Sequence, residues 1–88
     1  MTRLNPKYLA LKQSVLKRDK YRCRWPGCNK RCSRRNLECH HIIPWSMSII
    51  LRYDVHNCIT LCKNCHKKIK GKELIYAEMF RTILGKKC

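Results

Sequence analysis

Eight cysteines in 88 residues restrict this chain more than any other feature, because two stand as Cys62-Lys63-Asn64-Cys65, the tight spacing that carries two sulfurs to one metal. A chain this short buries only about 60–65% of the surface that its unfolded form exposes, so apolar burial alone leaves it marginal and a staple is expected. Disulfides and metal are the two choices. Met1, Thr2, Arg3, Leu4, Asn5, Pro6 and Lys7 lack the apolar run and small-residue cleavage site of a signal peptide, and no apolar stretch reaches the roughly 18 residues a membrane span needs. An intracellular, cytoplasmic protein with no membrane partner is therefore expected, and in a reducing compartment short-spaced cysteines favour metal over disulfides.

Structural Zn²⁺ takes four tetrahedral ligands, which two cysteine pairs from distant segments satisfy. The partners expected for Cys62 and Cys65 are Cys23 and Cys28, separated by Arg24-Trp25-Pro26-Gly27, where proline and glycine permit the necessary turn. Cys32 competes with Cys28, and the shorter turn favours Cys28. Cys58 lies in an apolar run and reads as core, Cys39 falls within a strand pattern, and Cys88 is a terminal thiol.

The net charge of +16 signals a polyanionic partner, and its placement is uneven. Residues 1–36 hold twelve Lys/Arg against one Asp, and residues 63–88 hold eight against two acidic residues, while the segment between them sums to −1. Basic flanks around a near-neutral centre suit a protein that grips phosphates on both sides, since counterion release drives such a surface onto nucleic acid.

Asn5 before Pro6 reads as an N-cap with proline at the first helical position, and Tyr8, Leu11 and Val15 recur at helical spacing, predicting a helix over about 6–19. Residues 20–36 carry no apolar period and read as a metal-held loop. Leu37–Ile43 predicts a strand whose alternation places His40 and Ile42 on one face and His41 and Ile43 on the other. An irregular connection offers Ile49, Ile50, Leu51 and Tyr53 for packing, a second strand covers Cys58–Leu61, and helix follows through His66 and Ile69. After Gly71 a helix over about 73–84 presents Leu74, Ile75, Tyr76, Met79, Phe80, Ile83 and Leu84, a stripe broad enough to require the N-terminal helix or a second subunit against it.

Across about residues 18–70 the chain resembles the HNH endonucleases. The resemblance rests on Arg18-Asp19-Lys20-Tyr21-Arg22-Cys23, Cys28, Glu38-Cys39-His40-His41-Ile42-Ile43-Pro44-Trp45, Asp54, Asn57, Leu61-Cys62 and Cys65-His66, all in order. It implies a small α+β fold: a single HNH nuclease domain over residues 1–88 whose core, about 18–70, is a ββα-metal finger stapled by the four-cysteine zinc site and flanked by N-terminal and C-terminal helices.

It also implies roles. His41 is the general base, His40 and His66 hold one catalytic divalent cation, and Asn57 holds the strand and loop so that His41 faces the attacking water. Phosphodiester hydrolysis needs a group that accepts a proton near neutral pH, as imidazole does, and a cation with open positions for the phosphate and leaving oxygens. With His40 where the family often has Asp, the pair of imidazoles favours Mn²⁺, Ni²⁺, Co²⁺ or Zn²⁺ over Mg²⁺, although Mg²⁺ remains usable through substrate phosphates. His56 and Asp54 fall outside this set, Asp54 as a turn or cap residue.

The expected substrate is double-stranded DNA, with Arg22, Arg24, Lys30, Arg31, Arg34, Arg35, Lys63, Lys67, Lys68 and Lys70 as candidate phosphate contacts. One site per chain implies nicking, and a double-strand break calls for a homodimer or two visits; phage or mobile-element machinery would be a natural setting. Two rivals stand beside this reading: a noncatalytic zinc-knuckle module that binds nucleic acid, and a structural ribosome-associated protein, which leaves the His-His, Asn, His order unexplained.

Overall fold

The computed structural model describes residues 5–85. Cys88 lies outside them. The chain runs α1 (Pro6–Arg18), β1 (Leu37–His41), β2 (Cys58–Cys62), α2 (Lys63–Ile69) and α3 (Ala77–Gly85), with single 3₁₀ turns at Arg34–Asn36, Trp45–Met47 and Val55–Asn57. The two strands pair antiparallel with Leu37 opposite Cys62, His40 opposite Ile59 and His41 opposite Cys58. This is the small α+β arrangement that the resemblance implies, with two strands, the helix that follows them and flanking helices.

Helix α1 starts where Asn5 caps it, its side-chain oxygen accepting from Lys7 N–H at 2.8 Å, and Pro6 fills the position that needs no donor. It buries Tyr8, Leu11, Val15 and Leu16, the first three of which pack on Cys39 and Cys58 beneath one face of the hairpin. A larger core gathers Leu37, Ile42, Ile59, Leu61, Ile69, Ala77 and Phe80.

A buried carboxylate locks α1 to this sheet. Asp19 takes two hydrogen bonds from the Arg18 guanidinium at 2.9 and 2.8 Å, one from Arg24 at 2.6 Å and the Thr60 N–H at 3.0 Å. Burial by itself would raise the Asp19 pKa, but Arg18 and Thr60 outweigh it and hold the carboxyl below its usual range. Arg18 reaches on to the carbonyls of Val55 and Cys58, both at 2.7 Å, so one guanidinium joins α1 to the turn before β2 and to β2 itself.

Three expectations need correction. The strand ends at His41 rather than Ile43, because Ile43 N–H and C=O are taken by the Asn57 side chain instead of a ladder partner. The last helix begins at Ala77, not 73: Gly71 turns the chain at φ 82°, Glu73 accepts from Gly71 N–H at 3.1 Å, and successive turns follow. Leu74 and Ile75 are consequently left 53% and 72% exposed, outside the apolar stripe.

The stripe that does form packs chiefly on the cysteine loop and β1 rather than on α1 as a helix pair. Phe80 meets Trp25 and His40 at ring-centroid distances of 6.1 and 5.4 Å, and Tyr76 meets Trp25 at 5.3 Å. In the connection, Tyr53 does pack on Trp45, whereas Ile49 and Ile50 stand 76% and 88% exposed. Among the described residues, no helix is long and apolar enough to cross a membrane.

If Asp19 anchors α1, Asp19→Ala strands two guanidinium groups and should lower unfolding free energy by about 3 kcal/mol. Arg22→Ala, at a half-buried arginine with one long bond to the Asn29 carbonyl, should change it by no more than about 0.5 kcal/mol. Urea denaturation of both zinc-loaded variants checks the pair of outcomes.

Candidate active site and metal centre

The cysteine site forms where β2 becomes α2. Cys62 ends the strand and caps the helix, its sulfur accepting from the Cys65 N–H at 3.5 Å, so the strand-to-helix turn itself presents both thiols. Across from it, Cys23 N–H donates to the Lys30 carbonyl at 2.9 Å and Cys28 N–H to the Trp25 carbonyl at 2.9 Å, closing the loop. Gly27 takes φ 87° there, a conformation that L side chains rarely adopt.

The sulfurs of Cys23, Cys28, Cys62 and Cys65 all lie within 4.8 Å of one another. Four thiolates on one Zn²⁺ at about 2.3 Å stand about 3.8 Å apart, so the cluster fits a tetrahedral zinc with little adjustment. Burial opposes charge on Cys62, yet the Cys65 N–H and the neighbouring thiols bring its pKa down to about 7, which favours the thiolate that a metal needs. Cys32 is not part of the cluster; its sulfur lies 3.9 Å from the Lys30 carbonyl.

His66 is one residue beyond Cys65, so the cysteine site fixes where its ring begins. His66 Nε2 lies 3.3 Å from His40 Nδ1, with ring centroids 5.2 Å apart. Two nitrogens bound to one tetrahedral cation at about 2.0–2.1 Å are separated by about 3.3 Å, so this spacing serves a shared cation as well as a hydrogen bond. His40 is only 3% exposed, against Phe80, and its Nε2 is buried with no partner. Burial, followed by the proximity of His66, pushes its pKa down to about 4, so the ring is neutral, as a metal ligand must be.

The adjacent His41 faces different neighbours. Its ring stacks 6.3 Å from Tyr8 and meets Trp45 edge-on at 5.4 Å, and it is 8% exposed. Its Nε2 lies 2.8 Å from the Arg52 carbonyl, an atom that can only accept; Nε2 therefore carries the proton and the neutral ring has its lone pair at Nδ1. Strand alternation thus separates the two histidines' environments, as the sequence implies.

Asn57, also buried, braces the loop that delivers the Arg52 carbonyl. Its side chain accepts from Ile43 N–H at 3.0 Å and donates to the carbonyls of Ile43 at 3.1 Å and Leu51 at 3.3 Å. Arg52 adds a hydrogen bond to the Trp45 carbonyl at 2.8 Å and lies over the Trp45 ring. Asp54 caps the turn before β2 by accepting from His56 N–H, and His56 is exposed.

Sequence reasoning missed two acidic neighbours of the histidine pair. Glu38 Oε1 lies 3.7 Å from His66 Nδ1, and Glu73 is close enough for its charge to interact with both His40 and His66. Glu38 was findable, since it is two residues before His40 on the same strand face; Glu73 arrives only through the Gly71 turn. Of the basic residues, Arg24 is committed to Asp19, Arg22 to Asn29, and Lys68 lies over Trp25, while Lys30, Arg31, Arg34, Arg35, Lys63, Lys67 and Lys70 are exposed.

Comparison with known proteins gives one finding: a family model described as HNH endonuclease matches residues 23–72, more than half of the chain. No curated protein and no solved structure matches it.

Two outcomes follow from this geometry. Cys28→Ser should lose zinc and fold poorly, whereas Cys32→Ser should retain one zinc per chain; elemental analysis of the purified variants reads both. His40, depressed from 6.5 to about 4, resists protonation when folded, so its contribution is complete above pH 6.5 and is lost as pH falls toward 4. Acid titration of stability, with no divalent cation added beyond zinc, should show a loss of about 3 kcal/mol over that window that His40→Gln removes.

Proposed function

The chain belongs to the HNH endonuclease family, and from that membership we propose that it is a metal-dependent endonuclease that hydrolyses DNA phosphodiester bonds. The observation that carries this reading is the 3.3 Å approach of His40 Nδ1 to His66 Nε2 beside a histidine whose other ring nitrogen is pinned to a backbone carbonyl. His40 and His66 would hold the catalytic cation, and the four cysteines a structural zinc. When bound, the cation supplies positive charge for the nonbridging oxygens and the departing 3′ oxygen, leaving 5′-phosphate and 3′-hydroxyl ends.

The chain's own groups do the rest. His41, with Nε2–H donating to Arg52, offers Nδ1 to accept the proton of the attacking water. Asn57 is a positioning residue: it holds the Leu51 carbonyl and so fixes the following Arg52 carbonyl that orients His41. A ligand pair of two imidazoles suits Mn²⁺, Ni²⁺, Co²⁺ or Zn²⁺ better than Mg²⁺. The exposed cations Lys30, Arg31, Arg34, Arg35, Lys63, Lys67 and Lys70 are the best phosphate contacts for duplex DNA, with Arg22, Arg24 and Lys68 contributing less because each already has a partner. A single site nicks one strand, and a dimer would be needed to cut both together.

A second reading has one observation in its favour: His41 is only 8% exposed, packed against Tyr8 and Trp45. On that reading the chain is a noncatalytic zinc module that binds nucleic acid. Supercoiled plasmid incubated with each divalent cation separates the two. Nicking is expected, with His41→Ala slower by about 10²–10⁴-fold. Intact plasmid in every metal would leave only the binding module, and equal cutting by the variant would remove His41 from the role of base.

A further inference from the structure

Five acidic residues serve a chain of net charge +16, so the place of each is informative. Asp19 is held in ion pairs beneath α1, Asp54 caps the turn before β2, and Glu78 lies in the first turn of α3. The other two, Glu38 and Glu73, both lie beside the histidine pair.

They are placed differently. Glu38 faces the ring nitrogen of His66 that points away from His40: Oε1 is 3.7 Å from Nδ1, while Nε2 is the atom 3.3 Å from His40 Nδ1. At that distance the contact is an ion-pair approach, which a small rotation of the half-exposed Glu38 side chain converts into a hydrogen bond. Glu73 instead spends one carboxylate oxygen on the Gly71 N–H and acts on the rings through its charge.

We propose that Glu38 is the positioning residue of the cation site, fixing His66 with its proton on Nδ1 and its lone pair on Nε2, directed at the point shared with His40. The proposal rests on the reading of His40 and His66 as cation ligands. A carboxylate can only accept, so in the neutral His66 ring Nδ1 donates to it and Nε2 is left to accept. In the cation-free protein His66 Nε2 then accepts a hydrogen bond from His40 Nδ1–H, which leaves His40 Nε2 as a bare lone pair. That is the atom buried without any partner. In the cation-free protein one carboxylate therefore sets the direction of the whole Glu38, His66, His40 chain and leaves the unpartnered nitrogen a lone pair rather than an N–H; a cation on His40 Nδ1 would move that ring's proton to Nε2.

Two measurements on the full, zinc-loaded chain test this. Nitrogen-15 spectra of the imidazoles in cation-free protein should show His66 as the Nδ1–H tautomer in the wild type, and a mixture shifted to Nε2–H in Glu38→Ala. Manganese binding, followed by electron paramagnetic resonance without DNA, should weaken about 10–100-fold in Glu38→Ala. Glu38→Gln, which keeps an accepting oxygen, should recover most of the loss, and Glu73→Gln, which removes a charge without touching the His66 hydrogen bond, should change affinity only a few-fold. An Nε2–H tautomer in the wild type, unchanged manganese affinity in Glu38→Ala, or equal weakening by all three variants overturns the proposal. A wild type that binds no manganese beyond its zinc sinks the cation reading and this inference with it.

Discussion

The convergence of four sulfurs at the junction of β2 and α2 is the constraint on which the remaining geometry depends. Cys62 and Cys65 set where the strand stops and the helix starts, and Cys23 and Cys28 bring the loop carrying Trp25 against them. Trp25 in turn receives Tyr76 and Phe80, so the last helix docks on a surface that the cysteine loop creates. Zinc bound to such a site contributes about 10–16 kcal/mol in small peptides, as much as the whole net stability of an ordinary domain. For a chain of 88 residues, that term rivals everything the apolar core supplies.

The hairpin is held from its other face by a different device. Arg18 and Asp19 form a buried ion pair whose remaining hydrogen-bonding capacity is spent on Val55, Cys58, Thr60 and Arg24. The histidines lie between these two anchors. His66 depends on the sulfur cluster through its neighbour Cys65, His40 is placed by the strand register, and His41 packs on Tyr8 of α1. Rigid placement of this kind suits groups that must meet within a few tenths of an ångström.

What the sequence made legible was what depends on neighbours in the chain. The α1 cap at Asn5 and Pro6, the two strands, the cysteine pairs and the opposite environments of His40 and His41 all follow from local spacing. Choosing Cys28 over Cys32 needed only the length of a turn. The misses were features made by tertiary context. The Arg52 carbonyl that holds His41 is a backbone atom and leaves no mark in residue type, and Arg24 looks like any other arginine until Asp19 is found beneath it. Leu74 and Ile75 fit a helical stripe by period alone, but the chain turns at Gly71 and carries them outside. Glu38 was within reach of the period-two rule, which puts it on the strand face of His40.

Cys62 has three employments at once: last residue of a strand, cap of a helix through its sulfur, and member of the four-sulfur cluster that fits zinc. Chemical damage at that atom is therefore indivisible. An oxidant that converts the Cys62 thiolate to a sulfenic acid removes a ligand, uncaps α2 and loosens the footing of His66 in one event. Graded impairment has no structural counterpart here, so a population under peroxide would divide into intact molecules and collapsed ones.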